Sequence, residues 1–194
     1  MRKGSLLLRP IAWKGPSSED KLEGIIQSKA SIPETRPARD LGKSFFEMTS
    51  LIILIGLQAS GKTSFARERL AHCHWVNRDV LKTRAREAEA IREGLASGKD
   101  IVIDKMNFTR GKRAAYIAFA REHGLKVRGY FFQSRVSDCI ERNEGRPPEA
   151  RVPREAIAAT SNRLQLPSPD EGFDELYFVR LTEGGFEVSP WEKS

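Results

Sequence analysis

Cysteine is scarce in this chain: Cys73 and Cys139 are the only two among 194 residues. They form no C-x-x-C pair and no metal-ligand spacing, which argues against a disulfide framework or a zinc site. Both stand in apolar-periodic surroundings, as buried thiols do. Histidine is nearly as rare. His72, His74 and His123 are scattered near the expected helix–strand junctions and are read as structural. No apolar stretch approaches the ~18 residues that a membrane span requires. Leu6-Leu7-Leu8 is too short for a signal-peptide core and is followed at once by Arg9 and Pro10. These absences lead to the expectation of a cytoplasmic protein with no membrane partner.

What is present is an ordinary globular composition, 39% hydrophobic and 30% charged, on a length that suits one α/β domain with a tail. The formal net charge of +7 favours a polyanionic partner or, equally, a solvated basic surface. Residues 1–47 differ from the rest. They hold four of the ten prolines and nine Lys/Arg against six Asp/Glu. They show no sustained period beyond a short patch around Leu22 to Ile26. The expectation is a disordered extension over 1–47, or a basic arm, ahead of a domain over 48–194. Met48 stands just before the first convincing strand and is a candidate start. A peptide from residues 1–47 in the native protein, seen by mass spectrometry, would sink that idea.

From residue 50 strands and helices alternate. Leu51 to Ile55 is a continuous apolar run, as in a central parallel strand covered on both faces. A helix is expected from Lys62 to about Ala71, a short strand at Trp75-Val76, and helix over 79–97 with Gly98 as its stop. Ile101 to Ile103 forms a third strand ending at Asp104. Thr109 is placed to cap a helix running to His123, and Ser134 to cap another running to Asn143. Val127 to Phe132 and Glu175 to Leu181 are the fourth and fifth strands. Pro153 opens a helix that fades near Leu166, and Gly184-Gly185 turns the chain into a terminal hairpin. Such alternation implies a parallel sheet with right-handed crossovers.

Between the first strand and the first helix lies Gly56-Leu57-Gln58-Ala59-Ser60-Gly61-Lys62-Thr63, a complete G-x-x-x-x-G-K-[ST]. Its two glycines let the backbone turn with its N–H groups aimed inward, and the helix N-terminus adds partial positive charge under a phosphate chain. Lys62 is expected to reach the β- and γ-phosphates, and Thr63 to offer a hydroxyl to Mg²⁺. Ser60 and Ser64 complete the loop as local hydrogen-bonding groups.

Catalytic candidates lie where the other strands end, since ligands of open α/β sheets bind at that edge. The second strand runs into Asn77-Arg78-Asp79. Asp79 is either the base that takes a proton from an acceptor hydroxyl or the cap of the next helix. Asp104 closes an apolar strand in the manner of a Walker B element, or is a plain strand-end acid. Asn107 follows and is expected to bond a phosphate or the loop. The stretch Glu141 to Arg151 carries Arg142, Arg146 and Arg151 among Gly and Pro, which suits a lid whose arginines neutralise transferring phosphoryl charge, or a solvated basic loop.

The order of a P-loop, N-R-D after the second strand, I-D-x-x-N after the third and an E-R-N-x-x-R segment resembles the kinase domain of 5′-hydroxyl polynucleotide kinases and the small P-loop kinases related to them. The likeness covers residues 50 to about 155. It implies a three-layer α/β sandwich with a five-stranded parallel sheet of order 2-3-1-4-5, and ATP with Mg²⁺ as the nucleotide complex. It implies that Asp79 is the general base, that Lys62 and residues 56–64 hold the triphosphate, that Thr63 and Asp104 attend the metal, and that Arg146 contacts the nucleotide one helical turn after Arg142. Arg78, Lys82 and Asn107 are then substrate contacts. Lys82 stands where phage-type enzymes carry a phosphate-binding arginine, and a lysine offers a point charge rather than a fork. Lys105 and Met106 replace a smaller polar pair.

The reading is an ATP-dependent kinase with an alcohol group as acceptor, foremost the 5′-hydroxyl of a nucleic acid. A small-molecule kinase and a non-catalytic ATP-binding switch protein are the alternatives.

Overall fold

The computed structural model describes residues 49–192; the extension expected over 1–47 lies outside them. The elements run β1 (Ser50–Ile55), α1 (Lys62–Arg69), β2 (His74–Asn77), α2 (Arg78–Leu81), α3 (Arg84–Ser97), β3 (Ile101–Asp104), α4 (Arg110–Glu122), β4 (Lys126–Phe132), α5 (Val136–Glu144), α6 (Arg154–Ser161), β5 (Glu175–Thr182) and β6 (Gly185–Pro190). The sheet order is β2-β3-β1-β4-β5-β6, parallel throughout except for β6, which pairs antiparallel with β5. The five expected strands stand in the expected order, and the terminal hairpin adds a sixth to the same sheet. No helix among the described residues is long and apolar enough to cross a membrane.

β1 explains its own composition. Leu51, Ile53 and Ile55 enter one core with Ile101, Ile103, Ile91 of α3 and Tyr116 and Ile117 of α4. Ile52 and Leu54 point to the other face, against Phe65 and Ala66 of α1 and Val102 of β3. A strand covered on both faces needs an unbroken apolar run, and each buried Leu or Ile contributes about 1.5–3 kcal/mol. Both cysteines are buried, and His123 bonds the Phe119 carbonyl through Nδ1, so these residues serve packing.

Three local expectations are corrected. The 79–97 helix is broken in two, because Lys82 adopts φ +63° after one turn and Thr83 then caps α3 by accepting from the Arg86 N–H. Ser134 caps nothing: Arg135 holds the N-cap position of α5, and the Ser134 hydroxyl turns toward the phosphate loop. The helix after Pro153 stops at Ser161, and the chain then crosses the α4 face, where Arg113 forks onto Glu171 at 2.7 and 2.6 Å.

Candidate functional site

The phosphate loop is held by contacts that come from far along the chain. Ser134 donates to the Phe132 carbonyl and accepts from the Leu57 N–H at 3.1 Å. Gly56 donates to the Met106 carbonyl. At Gly56 φ is +153°, and a β-carbon would meet the hydroxyl oxygens of Ser134 and Ser60 at 3.0 Å. Gly61 has φ +99°, and its β-carbon would lie 3.1 Å from the Phe186 ring. Both positions thus demand glycine, on conformation and on space. Phe186 and Leu181 bring the β5–β6 hairpin against the loop where α1 begins.

Lys62 is buried at the start of α1. Its ammonium bonds the Leu57 carbonyl and, at 3.2 Å, the Ser60 hydroxyl. Burial pulls its pKa down to about 8. Asp104, the Cys139 thiol and Asp79 oppose that shift, while Arg146 adds to it. Lys62, Asp104, Asp79 and Arg146 therefore lie within one electrostatic neighbourhood, although they come from four different elements or loops. Ser64 is exposed on α1, beyond the buried part of the loop.

Asp104 is the hub. Its Oδ2 accepts from the Thr63 hydroxyl at 2.9 Å, from Asn77 Nδ2 at 2.7 Å and from Trp75 Nε1 at 3.2 Å. The β2–β3 register makes the Asn77 contact, since Asn77 lies opposite Asp104. The other end of the same amide caps α2: Asn77 Oδ1 accepts from the backbone N–H groups of Asp79 and Val80. That settles which residue caps this helix. The cap is Asn77, and the exposed Asp79 carboxylate makes no hydrogen bond or ion pair among the described residues.

Two expected ligands have other tasks. Asn107 is buried with φ +45° and donates Nδ2 to the Leu54 carbonyl at 2.9 Å, bracing the strand that feeds the loop. Its burial corrects the expectation of a substrate contact. Arg142 gives its Nε to the Ala59 carbonyl at 2.8 Å, so it supports the phosphate loop rather than reaching past it. Gln58 likewise ties the loop to Thr160 of α6 through Nε2.

Other expected groups remain available to a ligand. The guanidinium of Arg146 makes no hydrogen bond or ion pair among the described residues, while its carbonyl is held by Arg151. Lys82 is exposed on the left-handed turn after α2. Arg78 lies against the buried Glu87, with Nε 3.7 Å from Oε2. Sequence reasoning missed Ser134 as a loop brace, Trp75 and Asn77 as ligands of Asp104, and Glu87. Only Asn77 carried a signal, as an Asx residue between a strand and a helix.

A family model described as an AAA domain matches residues 51–167, more than half of the chain. The bifunctional polynucleotide phosphatase/kinase of Schizosaccharomyces pombe is 30% identical over 132 residues, covering 66% of this chain and 32% of that protein. This chain spans about a third or less of the length of the curated relatives it matches. Among solved structures, the AvrRxo1-ORF1:AvrRxo1-ORF2 complex with sulphate ions aligns with a TM-score of 0.56 at 20% identity, covering 74% of this chain and 57% of that one. A gluconokinase from Sinorhizobium meliloti aligns with a TM-score of 0.51 at 19% identity, covering 70% and 85%. These structural likenesses concern the fold. With its complete phosphate loop and the match over residues 51–167, the chain belongs to the AAA domain family.

Proposed function

We propose that this protein is an ATP-dependent kinase that transfers the γ-phosphate to a hydroxyl, with the 5′-hydroxyl of a polynucleotide as acceptor. One observation carries the reading: Asn77 joins Asp104 at the phosphate loop to the helix that presents Asp79, and leaves the Asp79 carboxylate open. A switch protein that only binds nucleotide has no need of a carboxylate presented in this way. The polynucleotide phosphatase/kinase relative supports the choice of acceptor.

The roles follow from position. The loop N–H groups and Lys62 hold the triphosphate, and phosphate charge beside Lys62 favours its ammonium form. Thr63 and Asp104 are hard oxygen donors side by side, which suits Mg²⁺, an ion that takes one or two protein oxygens and completes its shell with phosphate and water. No three His, Cys, Asp or Glu side chains gather into a metal cage among the described residues, and a nucleotide-borne ion requires none. Bound there, such an ion would neutralise charge on the phosphates. Asp79 accepts the acceptor hydroxyl's proton as that oxygen bonds to the γ-phosphorus and the bond to the β-phosphate oxygen breaks. Arg146 neutralises charge on the transferring group.

The test is transfer of labelled γ-phosphate from ATP–Mg²⁺ to a single-stranded 5′-hydroxyl oligonucleotide, beside neutral sugars and gluconate. Labelled oligonucleotide, with a rate that falls steeply as salt is added, is the expected result. Label only on a small molecule would replace the polynucleotide acceptor.

A further inference from the structure

Trp75 is the largest side chain on β2, an edge strand that pairs only with β3. Trp75 and Asn77 stand two residues apart, so both side chains leave the strand by one face and Val76 by the other. Val76 enters the core of Leu51 and Ile53, while Trp75 packs at the margin of the core of Ile52, Phe65 and Val102. There its indole Nε1 donates to Asp104 Oδ2 at 3.2 Å, beside Asn77 Nδ2 at 2.7 Å and the Thr63 hydroxyl at 2.9 Å. Arg67, exposed on α1, lays its guanidinium 5.6 Å from the centroid of the Trp75 ring. A cation over the ring face draws electron density from it and makes the N–H a stronger donor.

Packing alone explains why a half-buried indole finds some acceptor. It does not explain why three donors crowd one oxygen. A carboxylate oxygen has two lone-pair directions. Oδ2 of Asp104 takes three donors, and Oδ1 takes none among the described residues. Asp104 is 4% exposed. A carboxylate buried only to tie strands together would share its donors between both oxygens, since each carries charge that burial penalises. Here one oxygen is saturated and the other is kept free, next to the phosphate loop.

We propose that Trp75 is a positioning residue for the divalent cation that travels with the nucleotide. Its indole N–H helps to saturate Oδ2, fixes the rotation of the Asp104 carboxylate and leaves Oδ1 as the oxygen offered to the ion or to one of its waters. The inference rests on the reading of Thr63 and Asp104 as the metal pair and deepens it. Groups that orient a metal's ligand set the affinity for the metal without touching it. Trp75 acts in that way, through Asp104 alone.

The five-membered rings of Trp and His superpose, so Trp75→His keeps an N–H donor at the position of Nε1 and loses the six-membered ring. Trp75→Phe keeps aromatic bulk and loses the donor. The pair separates bonding from packing. Calorimetric titration of adenylyl imidodiphosphate, a non-hydrolysable ATP analogue, in chelator and then in excess Mn²⁺ gives the gain in affinity that the cation brings. The metal-free analogue should bind wild type and both variants within about twofold. The gain should fall at least about threefold in Trp75→Phe and stay within about 1.5-fold of the wild type in Trp75→His. An undiminished gain in Trp75→Phe, or an equal loss in both variants, overturns the role. A second measurement leaves Trp75 in place. The ¹⁵N-labelled indole signals of Trp13, Trp75 and Trp191, assigned through Trp13→Phe and Trp191→Phe, are followed as Mg²⁺ is added to the analogue-saturated protein. The Trp75 signal should move and the Trp191 signal should not. An unmoved Trp75 signal overturns the role and leaves the kinase reading intact. Neither measurement requires transfer, so failure to phosphorylate any acceptor would sink the kinase reading and leave the role of Trp75 standing.

Discussion

At the residue scale, Lys62 is held in a place that disfavours its charge. Its pKa of about 8 lies below the ordinary 10.5, mainly through burial. A base whose folded pKa lies below its unfolded one weakens the fold wherever it must stay protonated. For Lys62 that penalty is full below about pH 8 and relaxes as pH rises from about 8 toward 10.5. At about 1.4 kcal/mol per unit the cost is about 3 kcal/mol. Lys62→Met should therefore stabilise the nucleotide-free protein by about 1–3 kcal/mol at pH 7 while abolishing ATP binding, with the stability gain shrinking toward pH 10. Thermal unfolding across that range checks it. A variant less stable than the wild type at pH 7 would contradict it. Asn77 makes the complementary case. Asn77→Ala removes the α2 cap and a bond to Asp104 together, so transfer should fall about 100-fold while ATP affinity changes less than about threefold. Steady-state kinetics with separate nucleotide titrations would show a uniform loss if the bridge served folding alone.

What the sequence shows at this scale depends on the range of the contact. Lys62, Thr63 and Asp104 are legible because a phosphate loop needs those types at fixed spacing after an apolar strand. Ser134 was misread because its partner, Leu57, lies 77 positions away. A Ser before a helix signals a cap, and only the fold shows that its hydroxyl faces the other way. Asn107 was misassigned for a related reason: its distance from Asp104 along the chain is short, but its side chain points into the protein.

At the scale of elements, the arginine-bearing segment is tied down at its base. Asn143, buried at the end of α5, donates to the Val152 carbonyl at 2.8 Å and accepts from the Val152 N–H at 3.0 Å. This two-point clamp closes residues 144–151 into a loop that carries Arg146. Asn143→Ala leaves both Val152 groups unpaired and should cost about 2 kcal/mol. Limited proteolysis should then cut within 144–153, and the KM for ATP should rise. A protease pattern identical to the wild type would contradict the clamp. The break between α2 and α3 belongs to this scale as well. Composition over 79–97 favours helix throughout, and the strong Thr83 cap hides within it. The sequence therefore shows helix but not the interruption that presents Asp79 on a single turn.

At the scale of the whole molecule, the sheet order was legible from the alternation and the family likeness together. The sixth strand's place in the sheet was not, since a Gly-Gly turn predicts a hairpin without saying what it packs on. The long crossing from α6 to β5 is secured by Arg113, wholly buried, forked onto Glu171 and bonded also to the carbonyls of Asn107 and Gln165. Glu171→Ala strands a buried guanidinium and should destabilise the fold by about 3–5 kcal/mol, read by denaturant unfolding. A loss below about 1 kcal/mol would show that the pair is not what fastens this crossing.

The central claim is that Asp79 takes the acceptor's proton beside a triphosphate held by the phosphate loop. Its most direct measurement is single-turnover transfer of γ-phosphate to a 5′-hydroxyl oligonucleotide by wild type, Asp79→Asn and Asp79→Ala, with ATP affinity measured on each. The account predicts that both variants lose transfer by at least about 100-fold and bind ATP within about twofold of the wild type. Transfer that survives in Asp79→Ala, or vanishes together with ATP binding, would contradict it.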